Sequence, residues 1–165
     1  MNDSVFEKAL KNELLPKKAQ KQLDAIAAVV PVTRSEGSPP HFRHLTGAML
    51  RKLVNEGTVV FSGSGGWGYD SDVFKGGNDE ESLAFLEKYP RFFAQGYVQT
   101  SKDGARLDID TIIGGVRTEE NPNGSLSIVT YKKPFTKQEI FAFANQFHRA
   151  DEFELGDNYA RAWFD

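Results

Sequence analysis

The residue types best suited to recognition chemistry lie in one glycine-rich stretch, SGSGGWGYDSD at positions 62–72. It contains the spacing Gly63-x-Gly65-x-x-Gly68, which in dinucleotide-binding proteins joins a strand to a helix whose N-terminus holds a pyrophosphate. Here no helix is predicted directly after the glycines, and the carboxylates beside them would repel a phosphate. The spacing therefore does not predict a nucleotide site, and we predict no cofactor.

The other side chains of this loop suit a different chemistry. Trp67 and Tyr69 offer aromatic contact area to a ligand or a partner. The carboxylates of Asp70 and Asp72 accept hydrogen bonds from sugar hydroxyls or pair with basic groups on a protein. We predict these four residues as the binding residues of the chain. The structural alternative is that the glycines only allow a tight turn, while Trp67 packs into the core.

A second candidate set begins with two aspartates. Asp108 and Asp110, together with Arg106, alternate with Leu107 and Ile109, so a strand would place the charged side chains on one face. Paired carboxylates suit acid–base chemistry or metal binding. No third ligand stands at a recognisable spacing, so we predict no metal site. The simpler interpretation is the solvated face of an antiparallel sheet.

Two histidines complete this second set. His41 and His44 stand three residues apart, which on a helix would give zinc two ligands on one face. Two prolines precede them, however, and segment 33–44 is predicted as a long loop. The enzyme hypothesis is that this loop brings His41 or His44 to Asp108 and Asp110. Surface or capping histidines are the simpler interpretation.

Composition excludes several classes of protein. The 165 residues suit a single domain, 1–165, and lack cysteine, which excludes disulfides and thiolate chemistry. The first 57 residues carry a net charge of +3 and the remainder −6, unlike the concentrated basic face of a nucleic-acid binder. No stretch approaches the roughly 18 apolar residues of a membrane span, and no signal peptide is recognisable. We expect a cytoplasmic protein with neither nucleic-acid nor membrane partners.

The candidate residues must be positioned by the predicted helices and strands. Helices are predicted mainly in the N-terminal part of the chain, and strands mainly in the later part. Apolar residues recur at helical spacing over 5–14, 19–30 and 45–54, with Gly57 as a C-terminal cap, and again over 83–89. These helices are expected to cover a sheet. The best helix start is the capping box Thr136-Lys137-Gln138-Glu139.

Turn signals separate the predicted strands. Strands are predicted over 93–101, 106–116 and 125–133, with a bend at Gly114-Gly115 and a final aromatic hairpin over 153–164. The earlier run 58–62 also reads as a strand. The predicted fold is α+β: a helical N-terminal layer and an antiparallel meander of about four to six strands with helices packed on one face.

No complete catalytic set is present, so the leading prediction is a non-enzymatic protein-binding domain. A small adaptor or toxin-neutralising immunity type of protein fits, with an acidic surface that meets a partner with a basic surface. The alternative is a small-ligand-binding protein with an apolar cavity, or an enzyme with a site between the sheet and the helices.

Overall fold

The computed structural model describes residues 17–33, 39–58, 79–101 and 104–164. The helices of this part are α1 (Lys17–Val29), α2 (Gly47–Asn55), α3 (Asp79–Lys88) and α4 (Lys137–Phe147). The strands are β1 (Val32–Thr33), β2 (His41–Leu45), β3 (Phe92–Ser101), β4 (Gly104–Gly114), β5 (Val116–Glu120), β6 (Leu126–Thr130), β7 (Glu152–Leu155) and β8 (Ala160–Trp163). The predicted helix over 5–14 and the strand residues 59–62 lie outside these ranges.

The strands form a main antiparallel sheet in the order β1-β2-β3-β4-β8-β7, and β5 and β6 form a separate two-stranded sheet. The long hairpin β3–β4 lies at the centre of the main sheet. The α+β prediction is therefore confirmed. No helix within the described ranges combines the length and the apolar character that crossing a membrane requires.

The helices cover one face of the main sheet, called here the inner face. Phe92 and Ala94 of β3 and Ile109 and Ile112 of β4 point into this layer and are fully buried. Phenylalanines from the helices fill the space above them: Phe143 of α4 stacks on Phe92 with ring centroids 5.2 Å apart. The core is therefore rich in aromatic rings, and the opposite face of the main sheet, called here the outer face, carries no described helix.

Proline, glycine and capping residues in the sequence predicted the ends of several helices correctly. Pro31 follows α1, and Gly57, with φ of 73°, follows α2 as predicted for a C-terminal cap. The capping box at the start of α4 is also confirmed. Thr136 Oγ1 accepts a hydrogen bond from the Glu139 amide at 3.1 Å, and Glu139 Oε1 accepts one from the Thr136 amide at 2.9 Å.

One prediction about the elements was wrong, and the structure adds a detail to another. Segment 41–44 is a strand and not part of a loop, and Leu45 ends that strand and does not begin a helix. The third predicted strand is present as β6, and among the described strands it pairs with β5 in a sheet of its own. The bend predicted at Gly114-Gly115 is confirmed: Gly115 has a φ of 78° between β4 and β5, and a Cβ atom there would overlap the Asn158 carbonyl. Strand β8 pairs with β4 in the main sheet.

Candidate functional site

The predicted binding residues Trp67, Tyr69, Asp70 and Asp72 lie outside the described residues. Their role as a recognition loop, and the alternative that Trp67 packs into the core, stay predictions. The described part of the chain offers a different site, which includes members of the second candidate set.

This site is a concavity of about 380 Å³ on the outer face of the main sheet, open to solvent. Strands β2, β3, β4 and β8 all contribute side chains to it. The lining side chains that carry charge, hydrogen-bonding groups or aromatic rings are His41, Arg43, Gln95, Tyr97, Asp110, Thr111, Arg161 and Trp163. The concavity therefore combines aromatic rings with both donors and acceptors of hydrogen bonds.

The strand pairing is irregular on both sides of β3 at the concavity. On β4, Ile109 pairs with Gly96 and Thr111 with Gln95, which leaves Asp110 as the extra residue. Bulges redirect side chains and are frequent beside functional sites. Because of this one, Asp110 and Thr111 both line the outer concavity.

On the other side of β3, strand β2 is irregular at the same level. Phe42 pairs with Gly96 and Leu45 with Ala94, so three steps along β2 match two steps along β3. Gly96 permits the crowding between the two bulges, because a Cβ atom there would overlap the carbonyl oxygen of Asp108. The glycine thus lets β4 approach β3 closely at the base of the concavity.

Neighbouring strands place the lining side chains in transverse rows. In one row His41, Tyr97 and Asp108 are direct partners across β2, β3 and β4. The rings of His41 and Tyr97 have centroids 6.1 Å apart, and Tyr97 is 40% exposed. In the next row Thr111 has Trp163 as its direct partner on β8. Aromatic side chains thus stand in both rows, one on each side of β4.

Asp110 is the acidic group that lines the concavity. Its Oδ1 accepts a hydrogen bond from the Thr111 hydroxyl at 2.7 Å. Burial raises the pKa of the Asp110 carboxyl above its ordinary value, and the hydrogen bonds from Thr111 and from the backbone of Asp110, together with the positive charge of Arg161, only partly offset this. A carboxyl group with such a shift inside a cleft is a candidate for a functional role.

The guanidinium of Arg161 is engaged by the edge strand β7. Its Nη1 lies 2.8 Å from an oxygen of Glu152 and 3.9 Å from one of Glu154. Arg43, by contrast, is exposed on β2, and its backbone carbonyl accepts a hydrogen bond from the side-chain Nε2 of Gln95 at 3.2 Å. The positive charge of Arg161 is therefore compensated within the sheet.

The second candidate set is divided by the structure. His41 and Asp110 line one concavity, and Asp108 lies in the same row as His41 and Tyr97. His44 is not among the lining residues. Its ring packs on Phe93 with centroids 4.1 Å apart, and among the described residues its buried Nδ1 has no hydrogen-bond partner. Burial lowers the pKa of His44. These histidines belong to a strand and not to a loop, which is what fixes their separation.

Sequence reasoning missed the lining side chains that β3 and β8 contribute, among them Gln95, Tyr97, Arg161 and Trp163. A signal was present in β8, where fully buried Ala160 and Ala162 alternate with Arg161 and Trp163. Small residues there lie under the helices and large polar or aromatic ones face outward.

Among the described residues, no group of three or more histidine and acidic side chains is placed to hold a metal ion. Comparison of the chain with family models, curated proteins and solved structures gave no significant match.

Proposed function

We propose that this chain is a non-enzymatic protein-binding domain, and that a partner docks on the outer face of the main sheet. The observation that carries the proposal is the composition of the concavity. Tyr97, Trp163, Arg43 and Arg161 gather there, and tyrosine, tryptophan and arginine dominate the energetics of protein interfaces. Tyr97 keeps 40% of its surface exposed, which leaves area for a partner to cover.

The charge of this face supports a partner with a basic surface. Among the described side chains of the concavity and the strands beside it, the carboxylates of Asp108, Asp110, Glu152 and Glu154 outnumber the two guanidinium groups. Complementary charge speeds association and selects among partners. A small cytoplasmic adaptor or a toxin-neutralising immunity type of protein fits this pattern, by analogy with those classes.

Site-specific crosslinking tests the proposal and identifies the partner in the same experiment. A photo-crosslinking amino acid replaces Tyr97 in the full chain, and the matched control carries it in place of Phe141, which is 73% exposed on α4. Crosslinking takes place in cells of the source, and mass spectrometry identifies the product. We expect a defined protein product from position 97 and none of the same mass from position 141.

Titration with the identified partner then measures how much the outer face contributes to binding affinity. Tyr97→Ala is expected to weaken binding by about tenfold or more, as truncation of an interface anchor does. Phe141→Ala is expected to leave the affinity unchanged. Equal effects of both variants, or no effect of Tyr97→Ala, would contradict the proposal.

The glycine-rich loop supplies a separate prediction. Trp67→Ala and Asp70→Ala are expected to weaken binding of the same partner without loss of the folded state. The measurement is a titration with the purified partner beside a circular dichroism spectrum of each variant. Unchanged affinity in both variants would remove the loop from the binding surface and favour a structural role for its residues.

A small ligand is the second candidate, and the size of the concavity favours it. A volume of about 380 Å³ falls within the roughly 300–1,000 Å³ of ligand pockets. The lining of the concavity is polar, whereas the small-ligand-binding alternative expected an apolar cavity. The concavity also lies on the opposite face of the sheet from the helices. A metabolite screen by thermal shift tests this function. A ligand whose stabilising effect is saturable and disappears in Asp110→Ala would support it over a protein partner.

A further inference from the structure

We propose that the concavity receives an arginine side chain of the partner, with the Asp110 carboxylate as its acceptor and the rings of Tyr97 and Trp163 as its walls. This inference rests on the proposed function and deepens it by naming the group that is recognised. Four features of the site carry it: the orientation of the acceptor, its incomplete compensation, the aromatic rings and the balance of charge.

The acceptor is held in place. The bulge directs Asp110 outward, and the hydrogen bond from the Thr111 hydroxyl, at 2.7 Å, restrains its carboxylate. A carboxylate has about four acceptor positions, so this bond and the one from the Asp110 backbone leave room for further donors. A guanidinium group is the side chain whose paired N–H groups match a carboxylate in geometry.

The ionised acceptor is incompletely stabilised in the free protein. Burial raises the pKa of Asp110, and neither Thr111 nor Arg161 fully compensates that effect. A cationic ligand would supply the missing interaction, because an opposite charge at hydrogen-bond distance favours the ionised form. The partly buried position also strengthens the attraction relative to a fully solvated carboxylate.

Aromatic rings stand on both sides of this acceptor. Trp163 is the direct partner of Thr111 on β8, and Tyr97 lines the concavity from β3. Cations bind over the faces of such rings, and arginine does so more often than lysine because its planar group also stacks. The site thus combines a carboxylate with aromatic surface, which are the two environments that guanidinium groups prefer.

The positive charges nearby do not reverse this preference. Arg161 is bound by Glu152 and lies 3.9 Å from Glu154, so these carboxylates compensate its charge. Arg43 is exposed on β2, where it also lines the concavity. An acidic side chain seated against Arg43 is the opposite possibility, and the experiment includes it.

Capped amino acids serve as probes on the full-length chain. N-acetyl-arginine methylamide, N-acetyl-lysine methylamide, N-acetyl-glutamine methylamide and N-acetyl-glutamate methylamide are titrated while the indole N–H signal of Trp163 is followed by NMR. The chain has two tryptophans, so Trp163→Phe assigns the signal. We expect the arginine probe to bind roughly tenfold more tightly than the glutamine probe, as a charge-assisted hydrogen bond predicts.

Substitutions test whether Asp110 causes the preference for the arginine probe. Asp110→Asn, which keeps the shape of the side chain, is expected to reduce the preference for arginine over glutamine to less than about twofold. Tyr97→Leu is expected to weaken arginine binding as well, and Glu81→Gln, on exposed α3 surface, is the control for loss of one negative charge. Equal or tighter binding of the glutamine or glutamate probe, or an unchanged preference in folded Asp110→Asn, would overturn the inference. A lysine probe that binds more tightly than arginine would overturn the choice of guanidinium.

The two proposals fail in different ways. If position 97 crosslinks to a partner but Asp110→Asn leaves the partner's affinity unchanged, the arginine pocket is wrong while the protein-binding function stands. If the arginine probe is selected but no partner crosslinks, the pocket stands and the proposed function fails.

Discussion

The inner and outer faces of the hairpin β3–β4 use the same two strands for different purposes. On the inner face Phe92, Ala94 and Ile112 are fully buried among phenylalanine rings from the helices. On the outer face Tyr97 and Asp110 remain accessible in a polar concavity. The inner face can therefore determine the fold while the outer face keeps side chains available for binding.

The bulge on β4 allows the inner face to keep its apolar residues buried while the polar residues point to the outer face. Inward-facing Ile109 and Ile112 stand three positions apart, whereas a regular strand repeats every two. The extra residue, Asp110, would otherwise disturb the core alternation, and the bulge turns it outward. The comparison predicts that substitutions on the inner face change stability and that substitutions on the outer face change binding.

The largest expected effect is on the inner face. Phe143→Ala removes a fully buried ring that stacks on both Phe92 and Phe153, with centroids 5.2 and 5.3 Å away. The free energy of unfolding is expected to fall by about 3–5 kcal/mol, the usual cost of such a truncation. Urea denaturation followed by circular dichroism measures it. A loss no greater than that of Tyr97→Ala would contradict the division between the faces.

The second largest expected effect on stability concerns the ion pair that joins α4 to the residue before β3. Arg91 Nε donates to Glu139 Oε2 at 2.9 Å, and the guanidinium also donates to the carbonyls of Lys133 and Pro134. The hydrogen bond from Arg91 is the main reason that the pKa of Glu139 falls from 4.5 to about 2; hydrogen bonds from Thr136 also lower it, and burial partly opposes the shift. Because the folded-state pKa is depressed, this stabilisation is present above pH 4.5 and is lost as the pH falls toward 2.

We therefore expect Glu139→Gln to lower the free energy of unfolding at neutral pH by roughly 2–3 kcal/mol. The difference from the wild type should shrink as the pH falls below about 4.5, since the wild-type carboxyl then becomes protonated. Urea denaturation at several pH values tests this, with Glu81→Gln as the control for an exposed carboxylate. A difference that stays constant with pH would show that the ion pair is not its source.

A smaller effect is expected from the buried end of the outer face. His44 packs on Phe93, and burial lowers the pKa of its imidazole from 6.5. The folded protein then binds fewer protons than the unfolded chain, so stability falls as the pH drops below about 6.5. We therefore expect the wild type to lose stability over this pH range and His44→Leu to lose less. Thermal unfolding at neutral and mildly acidic pH compares them, with His148→Gln as control, and parallel profiles in the wild type and His44→Leu would contradict the prediction.

The parts of the fold that sequence predicted are those with local signals. The capping box at Thr136 and the glycine after α2 act through neighbours within four residues, so their patterns identify them directly. Strand β2 lacked such a signal. Two prolines precede it, and its polar and apolar residues do not alternate regularly. Its strand character comes from pairing with β3, whose residues lie about 49 to 56 positions further along the chain.

The candidate site was predictable only in part, for the same reason. His41 and Asp110 were proposed from their chemistry, and they line one concavity. Tyr97 and Trp163 join them only through the pairing of β3 and β8 with β4, which no local pattern encodes. The bulge at Asp110 likewise depends on register with a partner strand. Non-local pairing thus determined which proposed residues share a site.

The smallest expected effect on stability is also the sharpest test of the comparison. Tyr97 is 40% exposed on the outer face, so Tyr97→Ala is expected to change the free energy of unfolding by no more than about 0.5–1 kcal/mol. The same variant is expected to weaken partner binding by about tenfold, because exposed aromatic anchors contribute mainly to interfaces. Phe141→Ala, on the helix layer, controls for the loss of an exposed ring. If Tyr97→Ala instead destabilised the protein by more than about 2 kcal/mol, its ring would belong to the fold, and the outer face would not be free for a partner.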